Sequence, residues 1–209
     1  MVSSIISTSD TTFSTAEDAR HLFNVTDSDL AALQRMGEQV TPEMDTHIEE
    51  FYEWLTTLEE YEVFFPDQEM VDHVKALQRK YWHRVFEGTI DQSYIDRRQM
   101  VGEVHARIGL PLGIYFAAMN HAVNLFSGTR HDSDMEADEF AAGVIALQKV
   151  ATMDTALVVD TYARMSNEAA MTQSKAIMEM STPVTQIWEG ILLLPLVGLI
   201  DSKRAQDIM

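Results

Sequence analysis

The chain has 209 residues, a formal net charge of −18 and no cysteine. That length suits one good core plus an appendage, and the acidity repels phosphate backbones and anionic bilayers, so neither nucleic acid nor membrane is an expected partner. Without cysteine, disulfides, zinc–thiolate sites and iron–sulfur clusters are excluded. No basic leader opens the chain. No run approaches about 18 apolar residues, and the greasiest stretch, 191–200, is cut by Pro195 and Gly198, so the expectation is a soluble cytoplasmic protein.

Residues 1–13 are rich in Ser and Thr and read as disordered. A short helix is expected after Ser14, with Ala16, Ala19, Leu22 and Phe23 inward. Thr26-Asp27-Ser28-Asp29 reads as a helix entry ahead of Leu30, Leu33 and Met36-Gly37 on one side. Thr41-Pro42-Glu43 is a second entry, with proline in the first turn and an acid near the positive end of the helix dipole. The helix beyond it carries Met44, Ile48, Phe51, Leu55 and Leu58 at helical spacing, with Tyr52 flanking that stripe. A turn is expected over 59–66. Asp67 caps a helix to about Phe86, closed by Gly88, and Asp91 caps the next, which contains His105. Gly109 stops that helix, and Pro111 opens another through Tyr115, Met119 and Val123 to near Gly128.

After a polar loop over 129–134, no proline and only Gly143 interrupt residues 135–180. One helix of that length spans roughly 65–70 Å, more than the diameter of a small domain. Its second half, 162–180, is rich in Ala, Met, Ser and Gln and reads as a stalk paired with another chain. Pro183 ends it. Residues 184–188 and 191–200 read as two strands around Glu189-Gly190, and 201–206 begin a new helix. Two strands and one helical turn bury no core. The expected organisation is a disordered segment 1–13, an all-α domain 14–165, a helical linker 166–182 and the opening fragment of a second domain, 183–209.

The chain has seven histidines. None has a glutamate three residues before it, as a di-iron carboxylate bundle requires, and no His-Glu-x-x-His, glycine-rich phosphate loop or nucleophile elbow occurs. The clusters Glu49-Glu50-Glu53 and Glu59-Glu60-Glu62 read as solvated faces. No catalytic residue is expected, and the protein reads as a non-enzyme. His105 stands apart because it lies near a helix stop, on a stripe with Val101, Val104 and Ile108. Taken alone it is either an axial iron ligand or an ordinary buried histidine. As a ligand, its second ring N–H needs an acceptor, and the carbonyl of Val101, one turn back, is placed for it. Tyr52 is either a core tyrosine with a satisfied hydroxyl or the opposite wall of a pocket.

Val101-Gly102-x-x-His105-x-x-Ile108-Gly109-Leu110-Pro111, followed by Tyr115, resembles the proximal-histidine segment of globin-coupled sensors. Phe51-Tyr52-x-x-Leu55, upstream, is similar to their B helix with its distal tyrosine. The resemblance spans about residues 15–165. It implies a globin fold with an extra N-terminal helix and no D helix, and heme b as cofactor. His105 would then ligate the iron and Tyr52 donate a hydrogen bond to bound O2, with Phe51, Val74, Leu77, Val101, Ile108 and Tyr115 lining the heme. Val74 and Leu77 are the expected distal E-helix residues. Both are apolar where some members of the family carry a second polar donor, so NO and CO stand beside O2 as gas ligands. His73 reads as a surface residue.

The tail, Ser181-Thr182-Pro183-Val184-x-x-Ile187-Trp188-x-Gly190 through Ile200-Asp201-Ser202-x-Arg204-Ala205, resembles the start of a STAS domain, closest to those of stressosome sensor-scaffold proteins. The resemblance implies phosphorylation of Ser202 by a partner serine/threonine kinase, a hydroxyl that also suits a helix N-cap. Together the two resemblances imply a homodimeric heme-based gas sensor that signals through its long last helix to a STAS output in a stressosome-type complex. The alternative is a heme-free, globin-like scaffold of the same assembly. A globin enzyme, an NO dioxygenase or peroxidase, needs a reductase domain or a polar distal pocket, and neither is visible in the sequence.

Overall fold

The computed structural model describes residues 15–129, 135–180 and 185–193. The expected disorder over 1–13, most of the polar loop, the end of the second strand, the helix after it and Ser202 lie outside the described residues.

Helix ends follow their local chemistry. Helix α1 (Ala16–Leu22) is capped by Thr15, whose hydroxyl accepts from the Asp18 N–H at 3.1 Å. Helix α2 (Asp27–Val40) opens on a capping box: Asp29 N–H donates to the Thr26 hydroxyl and Thr26 N–H to the Asp29 carboxylate. A 3-10 turn, Thr41–Glu43, leads into α3 (Met44–Leu55). Where a plain turn was expected, a single helical turn, α4 (Tyr61–Phe64), forms. Asp67 caps α5 (Gln68–Phe86), and Asp91 caps α6 (Gln92–Ile108). Gly109, at φ 70°, ends α6 in the left-handed conformation that only glycine adopts without strain. Helix α7 (Leu112–Gly128) follows Pro111, and α8 (Ala137–Met180) runs unbroken for 44 residues, about 66 Å.

The chain divides into two compact units, Met1–Ala163 and Arg164–Met209. The first has one hydrophobic core. Leu33 and Met36 of α2, Ile48 of α3, Trp82 of α5, Ile95 of α6, Phe126 of α7 and Leu147, Met153 and Leu157 of α8 are all fully buried in it. Trp82, Phe86 and Phe126 meet edge to face at its centre. Four glycines allow a close approach where a Cβ would collide: Gly37 on Phe86, Gly88 on the Leu30 carbonyl, Gly143 on Met36 and Gly102 on Thr161. In the second unit, strands β1 (Thr185–Trp188) and β2 (Ile191–Leu193) form an antiparallel hairpin, with Gly190 at φ 76° in the turn. The described chain is thus all-α apart from one hairpin.

Three expectations change. Of the four side chains expected inward at the first helix, Ala19 is buried and Ala16 and Phe23 pack against the core, while Leu22 is exposed. In α6 the predicted stripe is rotated: the buried residues are Tyr94, Ile95, Arg98 and Gly102, while Val104 and Ile108 are exposed. Finally, Ala137–Ile177 of α8 is long and apolar enough, by length and composition, to cross a membrane, although no uninterrupted apolar run exists; 56% of its most apolar window is buried inside the fold.

Candidate functional site

Helix α6 is held from behind at Gly102, where an added Cβ would lie 2.8 Å from Thr161 Cβ and 2.9 Å from the Val158 carbonyl oxygen of α8. His105 follows one turn later on the same side of the helix and is half-buried. The turn at Gly109 and Pro111 redirects the chain into α7, and the Tyr115 ring comes within 5.1 Å of the His105 ring, centroid to centroid. Burial lowers the His105 pKa, the positive charge of Arg98 acts in the same direction, and the Val101 carbonyl opposes them. The imidazole is therefore neutral at physiological pH. Nδ1 is buried without a partner of normal hydrogen-bond geometry. The expected Val101 carbonyl does act on the ring, but the contact falls short of a formed hydrogen bond. Tyr115 is buried, and its hydroxyl is held protonated by that burial and by the Asp154 carboxylate.

Tyr52 belongs to a second group, on α3. Its side chain is buried between the rings of Phe51 and Phe65, at 5.6 and 5.8 Å, and the Lys75 ammonium lies 5.1 Å from its ring centroid. Burial first, then Tyr61 and Glu49, raise its pKa well above the usual phenol value. Its hydroxyl is thus a permanent donor, and it makes no hydrogen bond to a described residue. Phe51 is buried and also packs on Trp54 and His121. Val74 is half-buried against the core, whereas Leu77 is 51% exposed.

The structure therefore gathers His105, Val101 and Tyr115 in one group and Tyr52 and Phe51 in another, with Val74 packed on the common core. Leu77 and Ile108, each 51% exposed, lie outside both. Two surface grooves, of about 420 and 490 Å3, open elsewhere, at Gly37 and Phe86 and at His47 and His121. His73 is exposed, as expected.

Two features escaped the sequence reading. Gln78 is half-buried, one turn beyond Val74, and its amide oxygen is buried without a partner. Its spacing from Val74 was the available signal. The second is a buried polar cluster of Tyr81, Tyr94, Arg98 and Asp154. An aspartate inside the apolar stretch Val150–Leu157 marks it in the sequence. A neutral imidazole with the Val101 carbonyl acting on its ring, on a helix fixed from behind, has the chemistry an iron ligand needs, so the residues present fit a heme.

The arrangement of helices is that of a globin. The globin domain of the Geobacter sulfurreducens globin-coupled sensor superposes with a TM-score of 0.66 at 20% identity, over 72% of this chain and 99% of that one. The globin domain of E. coli DosC, in a ferric crystal form, gives 0.61 at 18% identity, over 69% and 97%. Residues 14–168 match the Protoglobin family, and the chain belongs to it. Among curated proteins, it is 23% identical over 148 residues to a Halobacterium salinarum protein named as the heme-based aerotactic transducer HemAT. The match covers 66% of this chain but 30% of the transducer.

Proposed function

We propose that the chain is the heme-based gas-sensing part of a signalling protein. The observation that carries this reading is His105: neutral, half-buried and with the Val101 carbonyl acting on its ring, at the position of the proximal motif in a protoglobin fold. HemAT, named as a heme-based aerotactic transducer, and the Geobacter protein, named as a globin-coupled sensor, support it.

In this reading His105 would hold the iron, and Phe51, Val74, Val101 and Tyr115 would line the macrocycle. The resemblance to globin-coupled sensors implies heme b. When bound, the heme supplies an iron that takes a diatomic gas: O2, NO or CO. The protein supplies the rest. The Tyr52 hydroxyl, always protonated, offers a hydrogen bond that favours a polar ligand. Gln78, one turn beyond the apolar Val74, offers a second polar group. Signalling runs along α8, in a homodimer, to a STAS output, with a stressosome scaffold protein and a serine/threonine kinase acting at Ser202 as partners. The resemblance of the tail supports that part.

An absorption spectrum of the purified chain, reduced and then exposed to CO, tests the reading. A stoichiometric Soret band that shifts with CO is expected, and His105→Ala removes it. A hemin titration of the parent that yields no band overturns the proposal and leaves the heme-free scaffold.

A further inference from the structure

Asp154 has no part in holding a heme, yet it is 0% exposed in the core of the first unit. One oxygen, Oδ2, accepts from the Tyr81 hydroxyl of α5 at 2.7 Å and from the Tyr94 hydroxyl of α6 at 2.6 Å, while Oδ1 is buried with no partner. Arg98 of α6, 9% exposed, lays its guanidinium 4.0 Å from the Tyr81 ring centroid and 5.6 Å from that of Tyr94. Such a group is a poor way to gain stability. A buried ionic cluster commonly does no better than an apolar one of the same shape, and here two polar atoms, Asp154 Oδ1 and Arg98 Nε, go unsatisfied.

The placement of the cluster suggests another use. Tyr81 sits one turn beyond Gln78 on α5, the helix that also carries Val74. Tyr94 and Arg98 sit on α6, on the face that continues through Gly102 to His105. Gly102 presses on α8 at Val158 and Thr161, one and two turns along from Asp154. Tyr115, against the His105 ring, is close enough to feel the charges of both Asp154 and Arg98. One carboxylate on α8 therefore ties together the helix of the distal wall and the helix of the proximal histidine.

We propose that Asp154 is the positioning residue that couples the heme pocket to α8, with Tyr81 and Tyr94 as its paired donors and Arg98 as its counter-charge; this rests on the heme-sensor reading above. Two hydrogen bonds converging on one oxygen at 2.6–2.7 Å tolerate little relative displacement of α5 and α6. A shift of either helix breaks or remakes a bond inside the core, so the contact has discrete states rather than a graded response.

The test is hydrogen–deuterium exchange on the heme-loaded full chain, reduced, with and without CO. In the parent, CO binding should change exchange along 137–180 by about 5-fold or more. Asp154→Asn should keep the Soret band and its CO shift but lose that CO-dependent difference. Tyr94→Phe and Tyr81→Phe each remove one hydrogen bond and keep the ring. They should reduce the difference, and they carry the test if Asp154→Asn does not fold. A purely structural role would alter exchange equally with and without CO. A parent-sized difference in these variants, or no difference in a parent whose Soret band does shift, overturns this inference alone. A parent with no Soret band overturns the sensor reading and this inference with it.

Discussion

Tyr52 and His47 are both buried on α3, and burial favours the neutral form of each. For Tyr52 the result is a donor that does not titrate at physiological pH. Replacing it with Phe keeps the packing against Phe51 and Phe65 and removes only the hydroxyl. Stopped-flow measurement should show O2 leaving Tyr52→Phe roughly 5–30-fold faster, equivalent to about 1–2 kcal/mol; an unchanged rate removes Tyr52 from ligand control. For His47 the result is a pH dependence of stability. Its pKa is lowered from 6.5 by burial, which outweighs Glu50 and Glu43 at 3.9 and 4.0 Å, while the Thr129 hydroxyl lies 2.9 Å from Nε2. Below pH 6.5 the unfolded chain therefore binds more protons than the folded one. The stability is present above that value and is lost as pH falls toward the folded pKa, with a limiting slope of about 1.4 kcal/mol per pH unit. Urea midpoints should drop between about pH 7.5 and 5.5, and less steeply in His47→Gln. Some slope should remain, because His121 is shifted the same way.

Most helix ends were legible in the sequence because capping is local: Thr26, Asp67, Asp91 and Gly109 each act within about one turn of their own position. Gly109→Ala tests this where it positions the site. Nothing lies within 4 Å of the added Cβ, so its cost is the left-handed backbone alone, about 1–2 kcal/mol. Thermal unfolding should show that loss, and an unchanged midpoint would mean the turn relaxes freely. The face of α6 was not legible. Val101, Val104 and Ile108 have the right spacing, but α8 approaches on the Gly102 side and buries Arg98 instead. Periodicity finds the apolar stripe of a helix; it does not find the side from which a neighbour arrives when that neighbour brings a carboxylate and the helix meets it with an arginine.

Helix α8 belongs to both compact units. Up to about Val158 its buried face fills the core of the first, while farther along Met171 and Ile177 are exposed. Exposed apolar side chains on a stalk are expected to pair with a second copy. Light scattering coupled to gel filtration should give a dimer for the parent and a shift toward monomer for Ile177→Lys; a parent that runs as a monomer would refute the pairing. The sequence by itself determined the order of the helices, most of their caps, the length of α8 and the helix stop at Gly109 behind His105, because each depends on residues within a few turns of one another. Only the tertiary structure decided that Tyr81, Tyr94 and Arg98 converge on Asp154 and that Gly102, rather than Ile108, meets α8. Those contacts join residues dozens of positions apart, and the packing of whole helices, not any local preference, brings them together.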